Sequence, residues 1–106
     1  MNERARRSEF EGVLRQHRQN LDDIDLQLLS LLARRFSITR EIGELKAAHR
    51  APAADPEREQ AQLRRLCLQS ESLGLAPEVA RVVFEALFGL VRKNHVAIAA
   101  GLREER

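Results

Sequence analysis

Through the first half of the chain the apolar positions step by three and four: Leu21, Ile24, Leu28 and Leu31, then Ile38, Ile42 and Leu45. That spacing marks one face of an amphipathic α-helix. Period-two alternation of any length, the mark of a half-buried strand, is absent from the sequence. Breakers fall in two places: "RAPAADPE", with Pro52 and Pro56, and "LGLAPE", with Gly74 and Pro77. They predict three helices. The first runs over about 8–49. The second has Asp55 as its N-cap, Pro56 at its first helical position, and its end near Gly74, a good C′ residue. The third runs from Pro77 to about residue 101. The expected fold is all-α with an unusually long first helix. Without internal repeats or low-complexity segments, 1–106 reads as one domain, with residues 1–8 as a frayed basic extension.

The first helix poses a problem of size. About 40 residues at ~1.5 Å each make a rod of roughly 60 Å. A compact domain of 106 residues has a radius of gyration of only about 13 Å. Two shorter helices cannot cover such a rod, so its apolar stripe needs another partner. The simplest is a second copy, in an intertwined homodimer with two long helices side by side; twofold pairing is the commonest oligomer symmetry.

Within this seam, the position between its two halves is Arg35. A guanidinium on a buried stripe is costly unless it is paired. Three readings are open. Arg35 snorkels to solvent, or it pairs with an acid such as Asp25 or a Glu of the second chain, or it awaits an anionic ligand inside the bundle. Helical bundles do build ligand sites from inward-facing side chains.

Lys46 favours the last reading. It lies eleven residues after Arg35, close to three full turns at ~3.6 residues each, so both side chains leave one face about 16 Å apart. Thr39 lies between them. Arg18 points roughly 100° away from Arg35 by the same geometry, so it reaches such a pocket more easily from a second chain in an antiparallel pair. In "DPEREQ", Asp55 caps the second helix, while Arg58 and Glu59 sit in its first turn. There the exposed N–H groups and the positive dipole end favour anions. Glu59 can accept a hydrogen bond from a ligand hydroxyl. Plain capping and solvated charges explain the same cluster.

Composition narrows the classes of function. With 43% hydrophobic and 32% charged residues the chain is globular rather than disordered. Only 4% is aromatic, without Trp or Tyr, which disfavours a stacking platform for single-stranded nucleic acid. The net charge is +2, with eighteen basic residues against sixteen acidic, so nucleic acid is not an expected partner. The single cysteine, Cys67, reads as a small buried apolar residue, and no Cys/His spacing resembles a metal site. His17 and His49 read as surface residues. No apolar run approaches a membrane span, and "MNERARRSEF" is too polar for a secretory signal, so the expected location is the cytoplasm.

Together these residues resemble the all-helical class of chorismate mutases. The matching pattern is R-x6-D-x2-L-L-x-L-L-x2-R from Arg18 through Asp25 to Arg35, continued by Gly43, Lys46 and "DPERE". It covers roughly residues 13–100. The resemblance implies an isomerase that converts chorismate to prephenate by an intramolecular Claisen rearrangement, with no metal, cofactor or covalent intermediate. It also implies an interlocked dimer with two identical sites, each borrowing a residue from the other chain. Carried over position by position, Arg18 of the other chain and Arg35 bind the two carboxylates. Lys46 donates to the ether oxygen, Glu59 holds the ring hydroxyl, and Arg58 with the backbone at Asp55 supports the site.

The third helix departs from the family pattern. Anchored on Phe84, the spacing puts Val91 where a Ser is often found and His95 where a Gln or Glu donates to the ether oxygen. A histidine can do so through a ring N–H in either protonation state. The stretch "LFGLVRKNHVAI" also fits four residues later, and His95 as an exposed or core histidine stays open. Isochorismate-pyruvate lyase shares this scaffold and is the nearest alternative. From another class, a non-catalytic helical dimer with a regulatory or scaffolding role is the second. Mutases of this type sometimes need a partner enzyme, for which "ARRSEF" and "LREER" are the candidate surfaces.

Overall fold

The computed structural model describes residues 2–104, which are all-α, with three helices and no strand among them. Helix α1 spans Glu3–Ala48, α2 spans Pro56–Ser72 and α3 spans Pro77–Glu104. Met1 and residues 105–106, the end of "LREER", lie outside the described residues.

Helix α1 starts at Glu3 rather than near residue 8, so the leading segment expected as an extension is helical. The reason is local. Asn2 acts as the cap: its Oδ1 accepts the Ala5 N–H at 2.7 Å and its carbonyl accepts the Arg6 N–H at 3.1 Å. Glu3 then sits at the positive end of the helix dipole, and the Arg, Ala and Glu residues after it are good helix formers. Helix α3 likewise continues to Glu104, past the expected stop near residue 101.

Both ends of α2 follow the sequence reading. Asp55 Oδ1 accepts the Arg58 N–H at 3.2 Å, and Pro56 opens the helix. At the other end the Leu75 N–H donates to Ser70 O at 2.9 Å and the Gly74 N–H to Glu71 O at 3.1 Å. These are the two bonds of a Schellman motif, which needs a left-handed C′ residue; Gly74 supplies it at φ 76°. Helix α1 closes with the same pair of bonds, Ala51 N–H to Lys46 O at 2.8 Å and Arg50 N–H to Ala47 O at 3.2 Å. Here the left-handed residue is Arg50, at φ 54°, where a side chain costs roughly 1–2 kcal/mol.

The chain falls into two units, Met1–Arg35 and Phe36–Arg106. In the first, the leading part of α1 keeps its apolar seam uncovered: Leu21, Ile24, Leu28 and Leu31 are each 53–59% exposed. In the second, α2 and α3 pack on each other around Ala80, Leu87 and Phe88, with the Phe84 and Phe88 ring centroids 6.2 Å apart. Ser70 is buried in this unit, and its hydroxyl donates to Cys67 O. The remainder of α1 turns a different stripe inward from the one predicted. Ile38, Ile42 and Leu45 stay exposed, while Phe36, Thr39, Lys46 and Ala47 are half-buried and Gly43 is buried.

Candidate active site

Helix α3 brings His95 onto the covered stripe of α1. The imidazole is buried, and its Nε2 lies 2.8 Å from the Thr39 carbonyl oxygen. A carbonyl only accepts, so Nε2 carries the hydrogen and donates. In a neutral ring Nδ1 is then bare and can only accept. This narrows the expectation that His95 donates to a ligand in either protonation state: with Nε2 engaged, only the imidazolium offers a second N–H.

Gly43 makes room for the ring. A Cβ at this position would stand 2.6 Å from His95 Cδ2, closer than real Cβ atoms come, and 3.0 Å from Ile98 Cδ1, a tight approach. The glycine is therefore required for close approach of α1 and α3, despite its poor helix propensity. Thr39 turns its hydroxyl back along α1 to Phe36 O, at 3.2 Å, so it is the Thr39 carbonyl that faces His95. Lys46 follows Gly43 by three positions on the same stripe and is half-buried.

Helices α2 and α3 are joined by an ion pair that periodicity did not predict. Arg92 Nη1 donates to Glu59 Oε1, the two residues lying 33 positions apart in sequence. The Glu59 side chain is 25% exposed and that of Arg92 46%. Arg92 precedes His95 by three positions, so both leave α3 on one side. The pairs Arg40–Glu44 and Arg81–Glu78 are one-turn contacts on exposed helix surface, a class worth little. The sequence carries no signal for this pair: Arg92 is exposed and lies on a different helix from Glu59.

The second unit therefore holds Lys46, Asp55, Arg58, Glu59, Val91 and His95 of the predicted site. Asp55 and Arg58 are exposed and joined through the α2 cap, and Val91 is half-buried beside Arg92. In the first unit Arg35 is half-buried and Arg18 is exposed near Leu14, Arg15 and Asp22. The phase of Arg35 is shared by both stripes: it follows Leu31 by four and precedes Thr39 by four. A separate cleft of ≈ 400 Å³ opens beside α2, lined in part by Leu63, Arg64, Cys67, Leu68 and Arg81, and includes none of the predicted site residues. Cys67 is half-buried, its thiol directed at Pro77 O at 3.7 Å.

Among the described residues no helix is long and apolar enough to cross a membrane, and no group of three or more His, Cys, Asp or Glu is placed to hold a metal ion.

Known proteins share this pattern. Residues 17–96 match the family model described as chorismate mutase type II. The chain is 37% identical over 62 residues to a protein named T-protein from Enterobacter agglomerans, covering 58% of this chain and 17% of that one. It is 31% identical over 70 residues to a T-protein from Haemophilus influenzae, covering 66% and 19%. It is 34% identical over 64 residues to a protein named chorismate mutase from Methanocaldococcus jannaschii, covering 55% and 65%. The matched stretch thus falls short of two thirds of the length of each of these curated relatives. Because the family match extends over residues 17–96, most of its length, the chain belongs to the chorismate mutase type II family.

Proposed function

We propose that the chain is a chorismate mutase that rearranges chorismate to prephenate without a cofactor, as a homodimer with two identical sites. The observation that carries this reading is Lys46, half-buried as a residue on the stripe of α1 that receives His95, in a chain belonging to this family.

In this reading the substrate is a dianion that must fold its enolpyruvyl arm over the ring before it reacts. Arg35 and Arg18 of the partner subunit bind the carboxylates and hold the folded form, which is catalysis by positioning. Lys46 meets the ether oxygen. As the C–O bond breaks, charge grows there, so the ammonium stabilises the transition state more than the ground state. Glu59 accepts the ring hydroxyl hydrogen, Arg58 and the Asp55 backbone support it, and Val91 walls the site. His95 contributes a second donor to the ether oxygen only as an imidazolium.

The dimer is part of the proposal because Arg18 comes from the second copy. It is supported by the uncovered seam of α1, where Leu28, Leu31 and Leu45 are 53%, 59% and 61% exposed. A run of such residues on one face marks an interaction surface.

The test is direct. Purified protein is mixed with chorismate and the loss of its absorbance is followed, with prephenate identified as the product. A parallel cuvette with isochorismate is monitored for salicylate and pyruvate. Turnover of the second substrate alone transfers the site to the lyase reading; turnover of neither ends the enzymatic one.

A further inference from the structure

The ion pair between α2 and α3 has no place in the catalytic roles proposed for this site, yet it holds one of the residues they use. We infer that Arg92 is a positioning residue that sets the Glu59 carboxylate to receive the ring hydroxyl of the substrate. The inference rests on the proposed role of Glu59 as acceptor of that hydroxyl.

Three observations support it. The contact is between elements rather than within one, so it orients Glu59 relative to α3. It engages Oε1 of Glu59, which leaves the Oε2 side as the face toward which a hydroxyl can donate. And Glu59 is the less exposed partner, at 25% against 46%, so the guanidinium reaches inward from a wetter position to meet it. A guanidinium suits this work because its rigid fork loses little freedom on binding a carboxylate.

There is also an electrostatic reason. A carboxylate in a site built for a dianion repels its own substrate. Two like charges brought close repel, the more so where water is partly excluded. Arg92 offsets the charge of Glu59 while leaving its oxygen able to accept. The site then keeps the acceptor that recognises the hydroxyl and loses most of the repulsion.

The test uses the full chain, with chorismate and with chorismate methylated on its ring hydroxyl. Arg92→Met should raise KM for chorismate about tenfold, or about 1.4 kcal/mol, and lower kcat far less, because the hydroxyl is held in ground and transition states alike. With the methyl ether, which has no hydrogen to donate, Arg92→Met should raise KM far less than it does with chorismate, since only the charge-offsetting part of its role remains. Arg92→Lys should recover most of the loss. Glu59→Ala should match Arg92→Met, and the double variant should be no worse than Glu59→Ala alone. Circular dichroism shows that each variant is folded.

Equal losses on both substrates, or additive losses in the double variant, would overturn the role of Arg92 and reduce it to a structural tie. Should Glu59→Ala bind chorismate as well as the parent does, the assignment of Glu59 fails first, and the positioning role falls with it.

Discussion

Replacing Gly43 by Ala tests the geometry of the site without touching a charged residue. In the middle of a helix this exchange ordinarily stabilises, by about 1 kcal/mol, because Ala is the better helix former. At Gly43 the new methyl would lie 2.6 Å from His95 Cδ2 and 3.1 Å from His95 Nε2. The ring is buried, rigid and bonded to Thr39 O, so it cannot swing aside cheaply. Overpacking of this kind costs about 1–3 kcal/mol. Losing the bond from Nε2 costs about 1 kcal/mol more. Set against the propensity gain, Gly43→Ala should destabilise by about 1–3 kcal/mol.

The chain contains its own control. Gly12 also lies inside α1, and a Cβ there meets nothing within 4 Å. Gly12→Ala should therefore stabilise by about 1 kcal/mol. Urea unfolding at one protein concentration, kept fixed because assembly adds to apparent stability, should give the two variants opposite signs. Thermal midpoints should part by some 8–32 °C, at about 4–8 °C per kcal/mol for a domain near this size. A third variant, His95→Ala with Gly43→Ala, removes the clash with the ring and leaves only the 3.0 Å approach to the flexible end of Ile98, so adding the methyl to His95→Ala should destabilise far less. Stabilisation by Gly43→Ala alone would mean that His95 does not sit against α1 as described.

Four further outcomes are expected from particular residues. Lys46→Ala should lower kcat by about 10²–10³-fold, the usual cost of removing one donor aimed at the developing charge, with an unchanged circular dichroism spectrum. If His95 donates to the ether oxygen, His95→Ala should lower kcat with KM little changed; an unchanged kcat would leave it a packing residue. Arg50→Gly should raise stability by about 1 kcal/mol in a thermal melt, since it relieves the left-handed arginine at φ 54°. Leu28→Asp, on the uncovered seam, should shift gel filtration toward monomer mass if a second copy covers that face; an unchanged elution volume would count against the proposed dimer.

Much of this molecule is legible in short range, and the reason is that helix ends are local. Asp55, Pro56 and Gly74 bracket α2 through bonds that span at most five residues, so their residue types alone mark the ends. Asn2 carries the same information at the start of α1, but the polar residues after it hide the apolar rhythm that would point to a helix there. The residues on which the family resemblance rests, among them Arg35, Lys46, Asp55, Arg58 and Glu59, are likewise placed by spacing, because a helix of ~3.6 residues per turn converts spacing into direction.

Direction, however, does not say what lies opposite. Two neighbouring stripes of α1 compete for cover, one apolar through Ile38, Ile42 and Leu45, the other through Thr39, Gly43 and Lys46, and periodicity favours the first. Tertiary structure covers the second in the Phe36–Arg106 unit, because Gly43 lets the His95 ring approach and Thr39 offers it a carbonyl. The pairing of Glu59 with Arg92 is equally out of reach of the sequence. It joins residues 33 apart on different helices, which the packing of α2 on α3 brings side by side. Sequence settled which way the charged groups point along their helices; folding alone decided which of them meet.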